Sequence, residues 1–173
     1  MVASNNKNII EKVSHLKNQA VSKNREYWHD ELGYNYRMTN ICAAIGLAQL
    51  ERADEILDKK FLLADLYHRE LDGYNLNFQC CPKDSVNSFW MISIYLENIE
   101  TRDRTREKLK KSLIETRPIF YPAHIMPFFK TKEQHIIAES IASRGINLPS
   151  FPSLKREDVK LICVEIKKSL HQT

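Results

Sequence analysis

The sequence predicts an α/β chain dominated by helices, with those helices packed on one face of a small, partly antiparallel sheet. Three observations carry that prediction. Apolar residues recur at helical spacing in several separate stretches. The run SFWMISIYL, residues 88–96, is apolar on both alternations and rich in aromatic and β-branched residues, which reads as a buried strand. Further on, GINLPSFP reads as a second short strand closed by prolines.

The elements follow in order. MVAS is strand-like, and Ile9, Ile10, Val13 and Leu16 fall at helical spacing behind Asn6, a suitable cap. KNQAVSKNREYWHDELGYNYRM then carries no helical period over about twenty residues, and a loop of that length in a compact chain is usually functional or else marks a misassigned element. Thr39 caps a helix predicted to run to about Leu71, because Ile41, Ile45, Ala48, Ala53, Ile56 and Leu63 recur near helical spacing, and Gly73 stops it. Thr101 is expected to cap the helix after the 88–96 strand, which ends near Glu115. Pro118 favours an extended segment at a sheet edge. Thr131 and Gln134 form a capping-box signature for a helix through Ile141. Val159, Ile162, Cys163, Ile166 and Leu170 make the apolar face of a final helix.

Composition bounds the function. A chain of 173 residues with 43% hydrophobic and 28% charged residues is one globular domain or part of a larger one, and too apolar to be disordered. No apolar run approaches the roughly 18 residues of a membrane helix, and MVASNNKNIIEK lacks the layout of a signal peptide, so a cytoplasmic location is expected with no membrane partner. The net charge of +4 is scattered, and KLKK at 108–111 lies opposite its helix's apolar face. That argues against nucleic acid and leaves an anionic substrate compatible. Cys42, Cys80, Cys81 and Cys163 show no zinc-ligand spacing, so no metal is expected. Cys42 and Cys163 fall on apolar helix faces and are expected to be buried.

Two constellations carry chemistry. In ELGYNYRMTN, Gly33 is expected to permit a sharp bend, with Tyr34 and Tyr36 on opposite sides and Asn35 and Arg37 aimed between them. An amide and a guanidinium beside a helix N-terminus suit a phosphate; the alternative is a loop amide and a surface ion pair. In RPIFYPAHIMPFF, Arg117, Tyr121 and His124 stand among prolines that restrict the backbone, a segment able to line a pocket for a polar ligand or to serve packing alone. No hydrolytic motif, Gly-rich phosphate loop or acid–base carboxylate pair stands out, so no catalytic residue is assigned.

Together MVASNN with its following helix, YWHDELGYNYRMTNICAAIGLAQLERADEIL, SLIETRPIFYPAHIMPFF and RGINLPSFPSL resemble the C-terminal part of the DegT/DnrJ/StrS family of pyridoxal-phosphate sugar aminotransferases. The resemblance implies an aspartate-aminotransferase-like dimer, with residues 1–38 a remnant of the large cofactor domain, 39–72 a connecting helix and 73–173 a small C-terminal domain. It implies that Asn35 reaches across the dimer to the pyridoxal phosphate of the other subunit. It also implies that Arg37, Arg117, Tyr121, His124 and His29 lie near a sugar nucleotide, with glutamate as amino donor. Family members are about twice as long, and their Schiff-base lysine lies upstream of the segment matched by MVAS; none of the lysines here matches it. Loss of transamination is therefore expected for this chain alone, together with a homodimer or pairing with an N-terminal half. The competing expectation is a non-catalytic module that binds a sugar nucleotide or a partner protein.

Overall fold

The computed structural model describes residues 2–171. The chain divides into two compact units, one ending at Arg52 and one starting at Ala53.

In the first unit, α1 (Lys7–Leu16) begins where Asn6 Oδ1 accepts the Asn8 N–H at 3.0 Å. Val2–Ser4 form no strand, because no neighbouring segment supplies a ladder; Met1 lies outside the described residues. Thr39 caps α2 (Asn40–Leu50), its Oγ1 accepting the Cys42 N–H at 3.3 Å. This helix is apolar on most sides, yet none of its residues is buried. Ile41 and Leu50 are each more than 70% exposed, and Cys42, expected inside, is exposed too.

The single helix expected from Thr39 to Leu71 is interrupted. The Arg52 N–H bonds to Gln49 O at 3.2 Å, a three-residue closure that tightens the turn and ends α2. The next helix, α3 (Ala53–Glu70), then starts with Asp54 and Glu55 in its first turn, where the dipole favours them.

In the second unit α3 turns Leu63, Ala64 and Tyr67 inward, and Gly73 leaves the helix at φ +77°. The strand β1 (Leu76–Phe78) follows, three residues that carry no sequence signal. The strand read at 88–96 is shorter: β2 spans Ile92–Leu96, since Phe89 takes φ +48° and breaks the extension before it. Its faces alternate, with Ile92, Ile94 and Leu96 buried and Ser93 and Tyr95 half-buried on the other side. Asn98, not Thr101, caps α4 (Ile99–Lys111), its Oδ1 accepting the Thr101 N–H at 2.8 Å. The helix stops short of Glu115 because Leu113 takes φ +59°.

Arg117–Pro118 forms β3 and Ala123–Ile125 a single 3-10 turn. Thr131 caps nothing here; α5 (Ile136–Arg144) starts later, where the Glu139 carboxylate reaches back to accept the His135 N–H at 3.1 Å. The sheet is completed by β4 (Gly145–Leu148), and α6 (Arg156–Leu170) buries Val159, Ile162, Cys163 and Ile166, as its periodicity requires.

The strand order is β1-β2-β4-β3 and every neighbouring pair is antiparallel, with Ile94 opposite both Phe78 and Ile146. The sheet is thus antiparallel throughout rather than in part. Pro118 sits on the edge strand β3, where its missing N–H costs no ladder bond. One core joins Leu63, Tyr67 and Leu71 to β2, β4, Leu109 and the inner face of α6. Each of these fully buried aliphatic side chains contributes about 1.5–3 kcal/mol.

Candidate functional site

The turn that carries Asn35 is a braced ridge. Tyr34 N–H donates to Leu16 O at 2.8 Å, Tyr36 N–H to Lys17 O at 2.9 Å, and Gln19 N–H to Tyr34 O at 3.0 Å. Asn35 forms a lone antiparallel bridge with Asn18. Tyr34 and Tyr36 do not diverge: their rings stack at 5.3 Å, only 10° from parallel. Alternation along an extended segment puts residues two apart on one face, so Asn35 and Arg37 share the other. Both are exposed, and among the described residues neither side chain has a hydrogen-bond or ion-pair partner. Asn35 stands four residues ahead of Thr39, the cap of α2.

Gly33 serves close approach rather than a bend. A Cβ there would lie 2.3 Å from the Ala20 nitrogen and from the Gln19 carbonyl carbon, and its φ is not left-handed. The left-handed residues are Gln19 at φ 61° and Ala20 at φ 51°, the latter fully buried. Two consecutive non-glycine residues in that region are costly, and such strain concentrates at functional turns. Their side chains offered no signal of it.

His29 belongs to the same ridge. Its Nδ1 lies 2.7 Å from Gln19 O, and a carbonyl only accepts, so Nδ1 carries the proton and Nε2 faces outward on an exposed ring. Gln19 therefore ties His29 and Asn35 into one strained frame.

Arg117, Tyr121 and His124 lie in the second unit. Arg117 is exposed in β3 and its guanidinium meets Glu115 at 3.4 Å. Tyr121 is 65% exposed. Just before it, Phe120 stacks on Trp90 at 6.3 Å over a small depression of about 280 Å³ floored by Gln79, Ser93 and Asn147. These polar groups are satisfied internally: Ser93 Oγ donates to Asn147 Oδ1 at 2.6 Å, Asn147 Nδ2 donates to Pro118 O at 3.0 Å, and Gln79 Nε2 donates to Met91 O at 3.1 Å. His124 is turned inward, its side chain 13% exposed, with Nε2 2.8 Å from Glu139 Oε1. That bond, followed by the backbone bond from His135, holds the Glu139 carboxyl below the usual carboxylate range.

Lys60 escaped the sequence reading because it sits among good helix formers and looks like a solvated position. It is 7% exposed. Its Nζ donates to Trp90 O at 2.9 Å, Ser150 O at 2.5 Å and Ser150 Oγ at 3.1 Å, which uses all three donors. Burial lowers its pKa. Among the described residues no three His, Cys, Asp or Glu side chains cluster as metal ligands, and no helix is long and apolar enough to cross a membrane.

The family model for DegT/DnrJ/EryC1/StrS aminotransferases matches residues 1–167. The chain is 48% identical over 97% of its length to a GDP-perosamine synthase of Escherichia coli O157:H7, covering 46% of that protein. It is 45% identical over 96% of its length to a GDP-perosamine synthase of Vibrio cholerae, covering 47% of it. In fold it superposes on the aminotransferase TlmJ from Streptoalloteichus hindustanus with a TM-score of 0.87 at 20% identity, over 96% of this chain and 46% of that one. It spans about half the length of the relatives it matches. With its helices on a small antiparallel sheet, its braced Asn35 ridge and a family match along nearly its whole length, this chain belongs to the DegT/DnrJ/EryC1/StrS aminotransferase family.

Proposed function

We propose that the chain is the C-terminal part of a nucleotide-sugar aminotransferase of the perosamine-synthase kind, which takes an amino group from glutamate to a 4-keto sugar nucleotide, and that it is inactive alone. The observation that carries this reading is Asn35: a side-chain amide on a doubly braced turn, exposed and without an internal partner, ahead of a helix N-terminus. Held side chains left unpaired in this way fit an external oxyanion.

Pyridoxal phosphate, when bound, supplies the electron sink for amino transfer. The residues here fit its phosphate end: Asn35 would donate an N–H to a phosphate oxygen of the cofactor in a neighbouring protomer. His29 and Arg37 in the first unit, and Arg117, Tyr121 and His124 in the second, are each assigned to contacts with the sugar nucleotide. In this reading residues 1–38 belong with the cofactor domain, 39–72 connect, and 73–173 form the small domain of a cytoplasmic enzyme. Lys60, the buried lysine among the described residues, has every donor engaged, which suits a structural anchor rather than a cofactor-binding amine. The exposed apolar surface of α2 supports a required partner, either a second copy or an N-terminal half.

The test is reconstitution with the part of the Escherichia coli relative that this chain does not match. The mixture is expected to retain cofactor absorbance and aminate a GDP-linked 4-keto sugar, and Asn35→Ala to weaken cofactor retention by about 10- to 100-fold, the worth of one hydrogen bond to a charged group. A mixture without cofactor absorbance or amino transfer removes the reading.

A second reading has its own observation. The unit starting at Ala53 encloses a complete core, which suits a non-catalytic sugar-nucleotide-binding module. A melting temperature raised by GDP-mannose and unmoved by pyridoxal phosphate selects it.

A further inference from the structure

The segment between β3 and α5 presents most of its large side chains outward: Phe120, Tyr121, Phe128 and Phe129 are each at least 65% exposed. Its backbone bonds are local, and the longest-spanning of them runs from Thr131 N–H to His124 O at 3.2 Å. His124 turns in, its side chain 13% exposed. We propose that Glu139 is a positioning residue for this segment, its carboxylate fixing the His124 ring so that Nδ1 is offered as an acceptor for a ligand hydroxyl. The functional meaning rests on the reading of Tyr121 and His124 as substrate-facing; the geometry does not.

The argument starts from proton inventory. An ionised carboxylate only accepts, so at 2.8 Å from Glu139 Oε1 the Nε2 of His124 must carry the proton. When the ring is neutral, Nδ1 is therefore a lone pair, and Nδ1 has no partner among the described residues. A lone pair accepts from a sugar hydroxyl and repels a phosphate oxygen. The tautomer thus points His124 toward the sugar rather than the diphosphate. The same Oε1 accepts the His135 N–H at 3.1 Å, so one carboxylate pins both the turn and the start of α5. The titratable groups around it are His124 from the turn, His135, whose ring is 4.5 Å from that of His124, and Glu133, 3.8 Å from His135 Nε2. Glu139 is held below the carboxylate range chiefly by the His124 bond. Its clasp is therefore complete above the ordinary carboxylate pKa and is lost as pH falls through the lowered one.

The experiment uses the full 173-residue chain. Two-bond ¹H–¹⁵N spectra read the His124 tautomer in wild type, Glu139→Gln and Glu139→Ala; ¹³C spectra follow the Glu139 carboxyl in wild type and His124→Gln; amide exchange is read over residues 120–131. The expected result is an Nε2–H ring in wild type, kept by Glu139→Gln, whose amide oxygen still accepts, and lost in Glu139→Ala. Exchange across the segment quickens about tenfold in Glu139→Ala, the scale of one charge-assisted hydrogen bond. The carboxyl pKa rises toward its ordinary range in His124→Gln. An Nδ1–H ring in wild type, or exchange unchanged in Glu139→Ala, overturns the proposal. Should Glu139→Ala fail to fold, the Glu139→Gln tautomer and the carboxyl titration decide it. These readouts need no amino transfer, so a failed reconstitution with the expected spectra sinks the aminotransferase reading alone.

Discussion

Replacing Lys60 with Met removes an ammonium and keeps its aliphatic stem. Three bonds disappear, to Trp90 O, Ser150 O and Ser150 Oγ. The Trp90 carbonyl keeps a long contact from Ser150 Oγ at 3.4 Å, whereas the Ser150 carbonyl loses its charged donor. Hydrogen bonds to a charged group contribute about 1.5–3 kcal/mol each, and stranding a half-buried carbonyl costs about 1–3 kcal/mol. Against this, burying the ammonium itself costs several kcal/mol, which Met recovers. The balance is a loss of about 2 kcal/mol. The assay is urea unfolding followed by Trp90 fluorescence in a Trp28→Phe background. Half-exposed Lys59, paired with Glu55 on the surface of α3, is the control; Lys59→Met should cost at most about 0.5 kcal/mol. The pH dependence has a definite sign. Burial lowers the Lys60 pKa, so between that value and about 10.4 the unfolded chain holds the proton more tightly and stability rises with pH. Lys60→Met should lack that slope. A Lys60→Met protein as stable as wild type would refute the three-point anchor. Borohydride fixation of pyridoxal phosphate on Lys60 would in addition refute the inactivity of the isolated chain.

Two further outcomes follow from the same geometry. Iodoacetamide at pH 8 should label Cys42, Cys80 and Cys81 quickly and spare Cys163, whose thiol burial pushes up to about 12; peptide mass spectrometry reads the difference. Glu165 is held below the carboxylate range mainly by the bond from Lys168, so its stabilisation is present above that range and lost as pH falls through the lowered pKa. Glu165→Gln should therefore flatten the acid limb of a stability–pH curve.

Legibility in the sequence followed the physics of each signal. The α6 stripe is readable because burial imposes the helical period on Val159, Ile162, Cys163 and Ile166. Pro118 is readable because a missing donor confines it to an edge. The break at Glu51 and Arg52 is silent, since LERADEIL keeps both period and propensity while one three-residue hydrogen bond ends the helix. Asn98 and Thr101 are both competent caps, and only the fold selects between them. In the site, residue type marked Asn35 and Gly33, but the left-handed Gln19 and Ala20 have ordinary side chains. The Glu139 partner of His124 lies 15 residues away on another element, beyond any local pattern.

The two margins of the sheet are unlike. On one, Pro118 presents a ring where a donor would be needed, so no foreign strand can zip along β3. On the other, β1 offers an outer edge only three residues long, and its Leu76 N–H is already spent on Tyr74 O at 2.8 Å. Growth by strand addition, whether by swapping between copies or into fibres, is thereby one-sided: it must begin at β1, on a foothold too brief to hold an incoming strand unaided.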